Sequence, residues 1–159
     1  MLCGVDSSAC QHSSVDGVYY YFETNELDKT ELNLFFVEFK HINQGSDNYH
    51  EKIAEFKHEL KIKPFETVFC ILPHLIDKYC EENGIQGESN KMKLCLCKCK
   101  KHYYCVIPDS FSPNQSNSYI NISQDLIDIN QLEKYPFDSA RITSPIAFEK
   151  IINEKFSFM

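Results

Sequence analysis

The sequence predicts an α/β protein, one layer of sheet with helices laid against it. Three observations carry that expectation. Two short runs rich in aromatic and β-branched residues, "VDGVYYYF" at 15–22 and "LNLFFVEFK" at 32–40, stand near the N-terminus. The apolar period then lengthens from two to between three and four over residues 48–83. Beyond that, strand-like and helix-like patterns alternate to the C-terminus, for a predicted order of ββααββ followed by βαβα.

The first two runs flank the polar stretch "ETNELDKTE" and read as a β-hairpin. With its loop centred near Leu27, paired positions sum to about 54. Tyr49, Ile53, Phe56 and Leu60 then recur at helical spacing, and Asn48 with Glu51 fits a capping box. A second helix is expected from Pro64 toward Asn83, with Phe65, Val68, Phe69, Leu72, Ile76 and Tyr79 on one side. Pro73 should kink or split it, and Gly84 should cap it.

"MKLCLCKCKKHYYCVIP" at 92–108 reads as a second hairpin turning near Lys100 and Lys101. "PDSFSPNQSNS" at 108–118 has the composition of a surface loop. A strand at Tyr119–Ile122, a helix from Ser123 to Lys134 and a strand at 140–143 follow. Ser144 as cap and Pro145 in the first turn start a last helix, through about Glu154.

At 159 residues the chain has the size of one domain, 1–159, with 43% hydrophobic residues and no apolar run near the roughly 20 that span a bilayer. The N-terminus, "MLCGVDSSACQHSS", lacks the basic start and apolar stretch of a signal peptide. An intracellular, cytoplasmic location with reduced cysteines is therefore expected. A net charge of −7 argues against blanket coating of nucleic acid and leaves local basic strips to be sought. Five glycines, none clustered, exclude a glycine-rich phosphate loop.

The hairpin register sets Asp16 opposite Glu38, and alternation puts Glu38 and Lys40 on the same face. Two carboxylates and an ammonium thus gather at one end of the hairpin. Two acids hold their charge together only with a cation between them, and Asp and Glu oxygens suit Mg²⁺ or Mn²⁺. Lys40 beside such an ion can orient or deprotonate a water, or balance charge on a phosphate.

An Asp opening one strand, then an apolar strand ending "VEFK" at Val37–Lys40, resembles the PD-(D/E)XK nuclease superfamily. The resemblance covers roughly residues 14–62, with Val15-Asp16 at the position usually filled by Pro-Asp. It implies a restriction-endonuclease-like mixed β-sheet flanked by α-helices, and hydrolysis of a nucleic-acid phosphodiester. Asp16, Glu38 and Lys40 would be the catalytic residues. Asp16, Glu38 and the backbone carbonyl of Phe39 would hold Mg²⁺ or Mn²⁺. The helix after the "VEFK" strand would line the substrate groove and offer Lys57 or Tyr49.

Two other classes stay open. A non-catalytic module of the same fold would bind a protein partner through its acidic surface; a homodimer is the other assembly that stays open. A cysteine-bound metal protein would use Cys95, Cys97, Cys99 and Cys105, which converge only in one hairpin register; burial of these thiols as small hydrophobes is the favoured expectation. Lys98, Lys100 and Lys101 belong to the densest basic cluster and offer a phosphate-contact strip if the cysteines face inward. "YYYF" at 19–22 alternates as expected of a strand buried between layers.

Overall fold

The computed structural model describes residues 15–24, 29–40, 48–107, 132–133 and 135–156, the side chains of Tyr49 and Phe156 excepted. The N-terminal runs form strands β1, Gly17–Thr24, and β2, Thr30–Phe39. They pair antiparallel from Gly17 opposite Val37 to Thr24 opposite Thr30, so paired numbers sum to 54 as the loop position predicts. Strand β3, Lys100–Val106, lies parallel to β2, and β4, Ser139–Thr143, lies parallel to β3. The result is a four-stranded mixed sheet in the order β1-β2-β3-β4. The carboxyl ends of β2, β3 and β4 therefore share one edge, and β1 starts there.

The crossover from β2 to β3 is helical. It runs through α1, Tyr49–Glu66, a π-helical turn at Thr67–Ile71, α2, Leu72–Glu82, a 3₁₀ turn at Gln86–Glu88, and α3, Ser89–Lys98. After β4 the chain enters α4, Pro145–Phe156, where Ser144 Oγ accepts from the Ala147 N–H at 3.3 Å, the expected cap. No helix among the described residues is long and apolar enough to cross a membrane.

Strand alternation sorts the core onto two faces. Leu34, Phe36, Tyr103, Cys105 and Ala140 pack against Ile53, Phe56 and Leu60 of α1 and against Leu72 and Leu96. Phe35, Val37, Tyr104 and Val106 pack against Phe148 of α4, with Phe35 and Tyr104 stacked at 5.4 Å. The Phe39 ring meets Phe148 edge-on and is half exposed.

The helices differ from the sequence pattern at their ends and joints. Asn48 precedes α1, but its side chain makes no capping bond. Pro64 sits inside α1 and starts nothing; the break comes instead just before Pro73. Pro73 has no N–H to give the carbonyl four residues back. The chain widens there, and the Leu72 N–H reaches the Thr67 carbonyl in the π-helical turn. Phe69 and Tyr79 were expected on the apolar side and are largely exposed. Gly84 does end α2, at φ +68°, with the Ile85 N–H donating to the Cys80 carbonyl at 2.8 Å.

Two strand expectations are overturned. Residues 89–98 are helical, so the second hairpin does not exist. Cysteine and lysine alternate there with period two, but the residues the helix buries are Ser89 and Leu96, at i and i+7. In addition, Tyr19, Tyr20 and Phe22 are exposed and only Tyr21 of "YYYF" is buried, because β1 is an edge strand that the helices cover incompletely. The loop, strand and helix expected over 108–131 lie outside the described residues.

Phe36 is fully buried and stands edge-on to Phe137 at 5.3 Å, whereas Phe39 is 51% exposed. Phe36→Ala should therefore cost about 3–5 kcal/mol of stability. Phe39→Ala should cost well under half of that, as urea unfolding with an unchanged slope would show.

Candidate metal and phosphate site at the carboxyl edge of the sheet

Asp16 and Glu38 sit at the edge where the parallel strands end. Gly17 pairs with Val37, so one further step outward sets Asp16 opposite Glu38, as the sequence implies. Asp16 is exposed, and its Oδ2 accepts the Phe39 N–H at 2.7 Å. This bond carries the β1–β2 pairing one step past the ladder. By strand geometry the Phe39 carbonyl shares the side of its own N–H, the side Asp16 occupies.

Glu38 is the unusual member. It is 1% exposed, on the same face of β2 as Leu34 and Phe36, where an unpaired carboxylate would be costly. Two ammonium groups meet it: Lys63 Nζ lies 2.8 Å and Lys40 Nζ 3.1 Å from Oε1. Oε2 has no partner.

Glu59 on α1 completes the group. Its Oε2 lies 2.5 Å from Lys40 Nζ and 3.4 Å from Lys63 Nζ. Lys40 also lies over the Phe56 ring, 5.1 Å from its centroid. Burial alone would lower the Lys40 pKa, but the hydrogen bonds and charges of Glu59 and Glu38 outweigh it and hold it well above its ordinary value. Lys40 thus stays protonated within this network. The Lys40 hydrogen bond in turn pulls the Glu59 carboxyl below its ordinary range against the opposing effect of burial.

The helix that delivers Glu59 and Lys63 is anchored beside Asp16. Thr67, the first residue of the π-helical turn, is buried; its hydroxyl donates to the Lys63 carbonyl at 2.8 Å and accepts the Val15 N–H at 3.1 Å. Sequence reasoning missed Glu59, Lys63 and Thr67. The available signal was an acid and a base at i, i+4 flanking the stripe of Ile53, Phe56 and Leu60.

The expected basic strip is not assembled. Lys101 is 5% exposed, its ammonium donating to the Cys97 and Cys99 carbonyls at 3.3 and 2.9 Å. Lys100 pairs with Glu31 at 2.7 Å. Lys98 is exposed on α3 and Lys57 half-buried on α1, neither in an ion pair among the described residues. The strip failed with the hairpin that was to present it. His102 lies between Asn33 and Ser139, and burial lowers its pKa. Tyr49 falls outside the described side chains.

The cysteines are likewise rearranged. Cys95 and Cys97 are exposed on α3, contrary to the burial expected; Cys99 is half-buried, and Cys105 is buried opposite Glu38. Cys70 is half-buried and Cys80 buried. Among the described residues, no three His, Cys, Asp or Glu side chains converge as ligands of one metal.

A cavity of about 570 Å³ opens elsewhere, between Val18, Tyr20 and Phe22 of β1, Ile76 of α2 and Met92 and Cys95 of α3. Among the described residues, Glu88 and Lys91 are the charged ones that line it, and they pair with each other at 2.8 Å.

No family model, curated protein or solved structure matches this chain.

The paired charges make stability depend on pH in a defined direction. Glu59 has a folded-state pKa below its ordinary 4.5, so its pairing stabilises the fold above the unfolded carboxylate range and is lost as pH falls through the folded value. Lys40, with a raised pKa, contributes below 10.5 and loses its contribution only as pH rises through the folded value. Melting temperatures of wild type should fall on acidification below about pH 5. Lys40→Met should flatten that acid limb, because Glu59 then loses its principal partner.

Proposed function

We propose that this chain is a nuclease, hydrolysing a nucleic-acid phosphodiester with a divalent metal at the Asp16–Glu38 edge of a restriction-endonuclease-like sheet. The observation that carries the reading is Glu38. It is a buried carboxylate with one oxygen unpartnered, on the face that also carries Lys40, and Asp16 stands across the strand pair. The donor set fits a hard cation: Asp16 keeps Oδ1 beyond its bond to Phe39, Glu38 keeps Oε2, and the Phe39 carbonyl adds a neutral oxygen. Three carboxylates, Asp16, Glu38 and Glu59, stand against two ammonium groups, Lys40 and Lys63, and this excess of negative charge favours a cation.

Bound Mg²⁺ or Mn²⁺ would supply Lewis acidity toward the phosphate and lower the pKa of a coordinated water. The remaining work belongs to the chain. Lys40, kept protonated, donates to a phosphate oxygen or to the attacking water and meets the negative charge that develops there. Glu59 fixes the Lys40 ammonium, and Lys63 holds Glu38 from the helix side. A location at the carboxyl ends of parallel strands is where open α/β sheets bind ligands.

One observation favours the second reading, a non-catalytic module of the same fold that binds a protein partner. Glu38, Lys40, Glu59 and Lys63 form an ion network that is closed without a metal.

Melting curves and cleavage of single- and double-stranded oligonucleotides separate the two. In the nuclease reading Mn²⁺ raises the melting temperature of wild type, Asp16→Asn abolishes that rise, and cleavage requires the metal. Lys40→Ala should keep the metal-induced rise and lose cleavage by about 10²-fold or more. If Mn²⁺ leaves the wild-type curve unmoved and no oligonucleotide is cut, the network is structural and the binding module takes its place.

A further inference from the structure

The other face of the sheet carries a second polar cluster, at the amino end of the parallel strands. Ser139 opens β4 and pairs with His102 of β3, which pairs in turn with Phe35 of β2. All three therefore project toward the α4 side, away from Glu38. Asn33, two residues before Phe35, shares that face and is buried. Ser139 Oγ lies 2.8 Å from His102 Nδ1, and Asn33 Oδ1 lies 3.2 Å from His102 Nε2.

The proton positions follow from these contacts. Asn33 Nδ2 donates to the Glu31 carbonyl at 3.4 Å, which turns Oδ1 toward the imidazole. An amide oxygen only accepts, so the hydrogen of the neutral ring is on Nε2, and Nδ1 is left to accept from the Ser139 hydroxyl. Burial lowers the His102 pKa and keeps the ring neutral near pH 7. Of the charged groups around it, Asp138 before β4 and Glu23 on β1 oppose that shift, while Lys100 on β3 and Lys155 on α4 reinforce it. The Phe35 ring, 5.0 Å away, steadies the imidazole.

A hydroxyl that meets a neutral imidazole, itself oriented by a third side chain, is the arrangement that activates an oxygen nucleophile. Tyr104 adds a further part. Its phenol hydrogen-bonds Ser139, and burial raises its pKa, so it keeps its hydrogen. Ser139 and His102 are each only half-buried, which leaves the pair open to a small substrate.

We propose that Ser139 is a nucleophile for hydrolysis of a carboxylic ester, with His102 its general base, Asn33 the residue that positions the imidazole, and the Tyr104 hydroxyl the donor to the tetrahedral oxyanion. Ser139 Oγ bonds the carbonyl carbon as its proton passes to His102 Nδ1, and the alcohol leaves with that proton. Water then gives a proton to His102 and attacks the acyl-serine. The carboxylic acid is released as Ser139 recovers its hydrogen. This cluster shares no residue with the carboxyl edge, so the inference is independent of metal binding there.

The probe is a fluorophosphonate, from which an activated serine displaces fluoride; the labelled peptide is identified by mass spectrometry. Wild type should be labelled at Ser139, and His102→Gln should be labelled there about 10²-fold more slowly or less. The wild-type rate should fall only as pH drops below the ordinary histidine value of 6.5. Asn33→Asp should move that fall to higher pH, because a carboxylate beside Nε2 stabilises the imidazolium; an unmoved profile strikes out the role of Asn33. Absence of label at Ser139 of the folded wild type, or a rate indifferent to His102→Gln, makes the three side chains a structural chain and overturns the proposal. Should His102→Gln fail to fold, the wild-type pH profile decides, and a rate that does not fall in acid overturns it.

Discussion

Moving a carboxylate from water to the interior of a sheet costs several kcal/mol even after the surroundings relax, and cations must come with it. Glu38 meets that requirement with Lys40, two residues along its own strand, and Lys63, a full helix away. The second of these shapes the molecule. Lys63 reaches Oε1 only if α1 crosses the carboxyl edge with its Ile53, Phe56 and Leu60 stripe seated on Leu34 and Phe36. The same crossing brings Glu59 to Lys40 and the Thr67 hydroxyl to Val15, which steadies the chain entering β1. One buried charge thus ties a strand end, a helix flank and the start of the edge strand into a single arrangement.

Such an arrangement is a poor way to gain stability. Well-packed apolar side chains of similar volume commonly do as well as a buried ion pair. The Glu38 network lies at the edge where three parallel strands end, while the cavity between β1, α2 and α3 is lined almost wholly by apolar side chains.

The hairpin was legible because its two requirements agreed: the strand composition fixed the elements, and a short polar connection fixed the register that sets Asp16 against Glu38. Gly84, Ser144 and Pro145 were legible because each is nearly forced by backbone geometry. The segment at 92–99 misled because Cys and Lys tolerate either period, so their alternation said little, and of its residues the helix buries Leu96 alone. Lys101 shows the same limit at a single residue: no local pattern tells that an ammonium will fold back onto the carbonyls of Cys97 and Cys99. Glu59 and Lys63 became site residues through a helix crossing, a long-range relation that spacing along the chain does not encode.

The π-helical turn at Thr67–Ile71 gives α1 and α2 independent rotational settings on a nearly continuous rod. A π turn is an α-helix carrying one residue too many, and one residue is about 100° of rotation. Upstream of it, the setting is dictated by Lys63 and Glu59 facing the carboxyl edge; downstream, by Leu72 and Ile76 facing the sheet. Loss of a single residue between Thr67 and Ile71 would restore a regular helix and swing one of those two faces away from its target. The chain therefore keeps an irregular backbone where a regular one was available, so that the chemistry-bearing helix and the core-filling helix need not agree on phase.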